Sequence, residues 1–136
     1  MQQPEKVYLI DTNVILRYLL DDHKRFSPKA KAFIQDISKG IKKAEIPSEV
    51  MVECIYVMEK FYEIPKFEIV DKLSRIYNIK GIVNPDKSEI LDALARYENS
   101  SADIVDCILA AKSSPHRPIV SFDKDFKKLK ATSEKL

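Results

Sequence analysis

The sequence predicts an α/β fold: a parallel sheet of short strands flanked by helices. Three observations predict it. An apolar run, Val7-Tyr8-Leu9-Ile10, leads straight into Asp11-Thr12-Asn13, the pattern of a buried parallel strand that ends at a polar corner. Short apolar stretches recur at Ala44-Glu45-Ile46, Gly81-Ile82-Val83 and Ile119-Val120-Ser121-Phe122. Between them lie segments with helical punctuation, and strands that alternate with helices build parallel sheets.

Taken in order, the first helix is Val14-Ile15-Leu16-Arg17-Tyr18-Leu19-Leu20, apolar enough to pack back on the sheet. Ser27-Pro28 reads as an N-cap with proline at the first helical position, opening a helix to about Ser38. Pro47-Ser48 precedes a strongly apolar helix, about 48 to 62, stopped near Pro65. Another spans roughly Lys66 to Tyr77. Asp86, with Glu89 three residues on, resembles a capping box opening a helix to about Tyr97. Ser100-Ser101 introduces a helix over about 102 to 113, ended by Pro115. For Ala131 to Leu136 the pattern leaves a short edge strand or a frayed end open.

A length of 136 residues fits a single domain over 1–136, and no linker or repeat is visible. At 45% hydrophobic the chain can bury a core, and a net charge of +2 by itself implies neither a nucleic-acid nor a membrane partner. Only two glycines occur, Gly40 and Gly81, neither in a glycine-rich loop. Backbone N–H groups that cradle phosphate need such loops, so nucleotide-cofactor binding is disfavoured. Cys54 and Cys107 lie far apart without CxxC spacing, which points to a reducing compartment or core packing. The first six residues lack a signal-peptide core, and no apolar stretch reaches about 18 residues, so a soluble, cytoplasmic protein is expected.

The informative residues are acids. Asp11 stands at a strand end, where open α/β sheets place their active sites. Glu53 is the only charge in Val50-Met51-Val52-Glu53-Cys54-Ile55-Tyr56-Val57-Met58. It is either a surface carboxylate paired with Lys60 or Arg17, or a carboxylate in apolar company that is costly unless a metal holds it. Asp103 and Asp106, three apart, share one helix face. An acid in the first helical turn gains about 0.3–1 kcal/mol from the dipole, which accounts for Asp103; Asp106 reads as too far in. Asp123 follows a strand as Asp11 does, and either it or Asp125 also suits a turn or a helix cap. Carboxylates about 4 Å apart repel by about 4 kcal/mol per pair at an effective dielectric of 20, so several ionise together only around a cation. Hard oxygen ligands select Mg²⁺ or Mn²⁺.

With these residues the chain resembles the PIN-domain ribonucleases, most closely the VapC-type toxins of toxin–antitoxin pairs. The matching segments are LIDTNVILRYLL, PSEVMVECIYVME, ADIVDCILAA and IVSFDKDF, in the family's order. The resemblance implies a three-layer α/β/α fold with a central short-stranded parallel sheet. It maps the family's acidic quartet onto Asp11, Glu53, Asp106 and Asp123, as catalytic residues and metal ligands, with Asp103 an additional acid. Asn13 and Ser121 match polar residues that support the acids. The implied reaction is metal-dependent endonucleolytic cleavage of RNA by an activated water, leaving a 5′-phosphate and a 3′-hydroxyl. Mg²⁺ or Mn²⁺ is the implied cofactor; RNA, a small antitoxin and a second copy of the chain are the implied partners. Arg17, Lys24, Arg25 and Lys29 follow the Asp11 corner and are read either as phosphate contacts or as a solvated basic surface.

Rival classes lack a residue each. A response-regulator receiver needs an aspartate at the end of a mid-chain strand, but Glu53 lies in a helical pattern. A haloacid-dehalogenase-like phosphatase needs an aspartate two residues after the first, where this chain has Asn13. A catalytically silent PIN-like module that binds RNA or a partner, and an RNA-processing nuclease that is not a toxin, are the remaining alternatives.

Overall fold

Strand β1 (Val7–Leu9) lies parallel to β2 (Lys43–Glu45), with Val7, Tyr8 and Leu9 opposite Lys43, Ala44 and Glu45. The computed structural model describes residues 5–136, the side chain of Asp125 excepted. The chain divides into two compact units, one ending at Pro85 and the other Asp86–Leu136.

The first unit holds β1, α1 (Thr12–Leu20), α2 (Phe26–Ser38), β2, α3 (Ser48–Tyr56) and α4 (Lys66–Tyr77). The third expected strand, Gly81–Val83, is reduced to one parallel bridge between Ala44 and Ile82. Ala44 N–H donates to Gly81 O at 2.9 Å and Val83 N–H to Ala44 O at 2.8 Å. Ile46 then completes its bonding with a side chain instead of a strand. Its N–H donates to Asn84 Oδ1 at 2.9 Å, and its carbonyl accepts from Asn84 Nδ2 at 2.8 Å and Tyr77 OH at 2.9 Å. Glycine is required at 81, because a Cβ there would stand 2.4 Å from Ile37 O and 2.8 Å from Lys42 O.

Helical periodicity accounts for the core. Ala30, Ile34 and Ile37 are buried on α2, and Ile69, Val70, Leu73, Ile76 and Tyr77 on α4. Helix α1 packs against α2 and α3. The sequence placed the start of α2 at Ser27-Pro28; it begins at Phe26 because His23 does the capping. His23 Nδ1 accepts from Arg25 N–H at 3.3 Å and Phe26 N–H at 3.0 Å. Ser27 Oγ, buried, returns the bond by accepting from His23 N–H at 3.1 Å.

The expected helix over 48 to 62 is not uniform. After Tyr56 it widens into a π-helical turn, Val57–Phe61, and Tyr62 N–H reaches back to Val57 O at 3.2 Å. Phe61 is left 83% exposed. Tyr62 OH accepts from Arg17 at 3.3 Å and donates to Asp22 at 3.4 Å.

Strand β1 corrects one expectation. It was read as buried, yet Val7, Tyr8 and Leu9 are exposed and only Ile10 is covered. Among the described residues β1 pairs with β2 alone, so an apolar run that suits a sheet interior here forms an edge.

The second unit holds α5 (Lys87–Glu98), α6 (Ile104–Lys112), β3 (Ile119–Ser121), a 3₁₀ turn (Asp125–Leu129) and β4 (Ser133–Lys135). Helix α5 packs on α6, burying Ile90, Ala93, Leu94 and Tyr97 together with Ile104, Cys107 and Ala110. Asp86 occupies the N-cap position of α5 without the side-chain cap expected of a capping box; its carboxylate faces Lys112 at 3.5 Å. The open question at the end of the chain resolves as a strand. β3 and β4 run parallel, with Ile119, Val120 and Ser121 opposite Ser133, Glu134 and Lys135. Ile119 N–H donates to Thr132 O and Leu136 N–H to Ser121 O, each at 2.8 Å. Arg96 braces the unit by pairing with Asp92 and donating to the Leu129 carbonyl. The α/β class and the parallel sense of pairing are those the sequence predicted. Among the described residues no helix is long and apolar enough to cross a membrane.

Candidate active site

In the first unit Asp11 forms the N-cap position of α1, its carbonyl accepting from Val14 N–H at 3.1 Å and Ile15 N–H at 3.4 Å. Its side chain makes no cap bond and is exposed. The backbone thus starts the helix while the carboxylate stays available to a ligand. Helix α1 starts at Thr12, two residues earlier than the apolar run suggested, because Asp11 supplies the cap position. Asn13 is exposed beside Asp11 in the same groove, with no hydrogen bond between the two among the described residues.

Glu53 lies on α3, off the buried stripe of Met51, Cys54, Ile55 and Met58, and is exposed. Exposure removes the desolvation cost anticipated for it. Neither anticipated partner reaches it: Arg17 pairs with Asp22 at 3.0 Å, and Lys60 lies 3.8 Å from Glu59. The residue between the two acids ties them together. Cys54 is fully buried, and its thiol donates to Thr12 O at 4.0 Å. Burial pushes the Cys54 thiol up to about 12, and the charges of Glu53 and then Asp11 add to the shift. Both carboxylates therefore bear on one sulfur.

In the second unit Asp103 is the N-cap of α6, its Oδ1 accepting from Val105 N–H at 2.8 Å. The helix begins at Ile104, not at 102, which moves Asp106 into the first turn. The dipole argument denied to Asp106 from sequence therefore applies to it after all. Asp123 follows β3 as expected, and its N–H donates to Ser121 Oγ at 2.9 Å. Ser121 thus sets the turn that carries Asp123 by bonding its backbone. Asp103, Asp106, Ser121 and Asp123 line one cavity of about 520 Å³. Asp125, the alternative to Asp123, has its side chain outside the described residues.

Of the basic residues singled out, Arg17 is committed to Asp22 and Tyr62. Lys24, Arg25 and Lys29 are exposed, and Lys29 lines the groove that includes Asp11. The same groove is lined by three aromatic residues, Tyr8, Phe26 and Phe33. Their signal was the interleaving of Arg25 with Phe26 and of Lys29 with Phe33.

Among the described residues no group of three or more His, Cys, Asp or Glu side chains is gathered to hold a metal. The donor chemistry nonetheless suits a hard cation. Mg²⁺ retains several waters and is commonly held by one or two carboxylates plus substrate phosphates. Asp11 and Glu53 are exposed carboxylates with no cationic partner among the described residues.

Acids placed after short parallel strands and at helix starts define an acid-bearing α/β protein. Residues 8–131 match the PIN domain, and the chain belongs to the PIN-domain family, whose α/β fold it shares. It is similar to a VapC ribonuclease of Aquifex aeolicus (strain VF5), 28% identical over 123 residues, which cover 89% of this chain and 90% of that protein. No solved structure matches it.

Proposed function

We propose that the chain is a divalent-metal-dependent endoribonuclease, the toxin of a toxin–antitoxin pair, acting as one domain over residues 1–136. The observation that carries this reading is the placement of Asp11 and Glu53, two exposed carboxylates that directly precede the two partners of the Thr12–Cys54 contact joining α1 to α3. The similarity to a VapC ribonuclease supports RNA as the substrate. Asp11, Glu53, Asp106 and Asp123 are the proposed catalytic acids, with Asp103 as an additional ligand. A small antitoxin, a homodimer and a cytoplasmic setting belong to the same proposal.

Mg²⁺ or Mn²⁺ is the proposed cofactor, and Asp11 and Asp106 are the foremost proposed ligands. Held by these acids, a divalent cation would supply positive charge for a phosphate and would make a water more acidic. The chain's own work is placement. The α1 cap holds Asp11 at the helix start, α3 presents Glu53, and the Ser121 bond sets the Asp123 turn. Lys24, Arg25 and Lys29 offer charge to phosphates and confer affinity without choosing sequence.

The test is incubation of the purified protein with total RNA and Mn²⁺, with and without EDTA, beside Asp11→Asn. Cleavage is expected from the wild type alone and only without chelator. Cutting that survives both the chelator and the substitution overturns the metal mechanism. A wild type that cuts nothing under any divalent metal is a silent RNA-binding or interaction module. Expression is expected to arrest growth, and harmless expression of an active enzyme without antitoxin counts against the toxin role.

A further inference from the structure

We infer that the groove beside Asp11 seats a nucleobase of single-stranded RNA next to the bond that is cut. The inference rests on the ribonuclease reading above and adds the substrate contact. The groove has a volume of about 380 Å³ and lies wholly in the first unit, within the roughly 300–1,000 Å³ usual for small-ligand sites. Its lining includes three aromatic residues, Tyr8, Phe26 and Phe33. Its charged lining is one acid, Asp11, and two cations, Arg17 and Lys29. Aromatic surface for a base and cations for the backbone is the combination that binds single strands.

Phe26 is prepared for the contact. The residue is 47% exposed. His23 stacks on it at 4.5 Å with 9° between the rings, and the same imidazole accepts the Phe26 N–H. The Arg25 guanidinium stands 5.5 Å from the ring centroid. A rigid aromatic with a cation beside it gains base contact at little ordering cost. Lys29 makes no ion pair among the described residues, whereas Arg17 is held by Asp22. Lys29 is therefore the lining cation left for a phosphate, and Arg25 beside the Phe26 ring is a second cation at the groove's aromatic wall, a pairing that suits a nucleotide better than an apolar peptide. A base seated here keeps its own phosphates near the wall that carries Asp11.

The test starts from an RNA that the wild type cuts in total RNA. That RNA is resynthesised with an abasic nucleotide at each of the three positions on either side of the cut. The kcat/KM values are compared for wild type, Phe26→Leu and Lys29→Ala, after circular dichroism confirms each fold; leucine keeps the apolar contact and removes the stacking face. One abasic position is expected to slow the wild type about 5- to 150-fold. Phe26→Leu should lose a comparable factor on intact RNA and little more on that abasic RNA. Lys29→Ala should cut more slowly and with a shallower salt dependence. Wild-type rates from Phe26→Leu, or losses that multiply fully with the abasic loss, overturn the inference and leave the ribonuclease reading standing. Phe26→Leu that cuts normally but no longer binds a protein partner marks a peptide seat and overturns it too. A wild type that cuts no RNA removes the ribonuclease reading and this inference together.

Discussion

The Cys54 thiol meets the Thr12 carbonyl oxygen at 4.0 Å, and each of these two residues directly follows an acid of the candidate site. The contact joins α3 to the first turn of α1. Glu53 and Asp11 are thereby held near one sulfur while both side chains remain exposed.

A pH dependence follows from that sulfur. The folded thiol is pushed up to about 12 from an ordinary 9.0, so the folded chain keeps its proton longer than the unfolded chain does. The resulting stabilisation is complete below about pH 9 and is lost as pH rises toward 12. Urea midpoints measured between pH 8 and 11 should fall more steeply for the wild type than for Cys54→Ala. Asp11→Asn should lessen the steepness, since Asp11 contributes to the shift. Equal slopes for all three proteins contradict this account.

Stability and activity should separate among the acids. Asp11 makes no side-chain cap bond, so Asp11→Asn should change unfolding free energy by less than about 0.5 kcal/mol while abolishing RNA cutting. Asp103 caps α6, so Asp103→Ala should cost about 0.5–2 kcal/mol. Asp103→Asn keeps an acceptor and most of the stability. Its cutting rate distinguishes a helix cap from a ligand: near wild type for the first, strongly reduced for the second.

His23→Ala removes the acceptor for two N–H groups at the start of α2 and should cost about 1 kcal/mol. Denaturant melts of His23→Ala and His23→Asn check it, with asparagine recovering part of the loss.

The two glycines should respond to substitution for different reasons. Gly81→Ala drives a methyl group into the Ile37 and Lys42 carbonyls, and should cost at least about 1–3 kcal/mol. Gly40 has open space around it but a φ of +78°, so Gly40→Ala should cost about 1–2 kcal/mol of backbone strain. Gly40→Asn should be milder, because asparagine tolerates that conformation, and nothing comparable rescues position 81.

Patterns that depend on neighbours in sequence were legible; those that depend on neighbours in space were not. The extents of α4 and α5 follow closely from local sequence, α5 from an Asp86/Glu89 pattern whose side-chain cap does not form. The strand-end positions of Asp11 and Asp123 were readable because a short apolar run announces its own end. The start of α2 was misplaced because histidine is an uncommon cap, and Ser27-Pro28 offered a stronger local signal. The start of α6 was misplaced by two residues, and that error alone made Asp106 look unsupported by the helix. Burial of β1 was misjudged because an apolar run does not reveal on how many sides it is paired. For Glu53 the sequence leaves a surface carboxylate and a costly one both open, and the exposed face of α3 decides for the surface, with its direct neighbours Val52 and Cys54 turned to other faces.

The π-helical turn at Val57–Phe61 has a consequence for mutation. It carries one residue more per turn than an α-helix would, and that extra residue sets the phase at which Tyr62 reaches Arg17 and Asp22. Lys60 and Phe61 are exposed on that turn, so substitutions there should cost little. Loss of a single codon would instead rewind the turn by roughly 100° and carry Tyr62 away from α1. In this segment the number of residues is under tighter constraint than their kind.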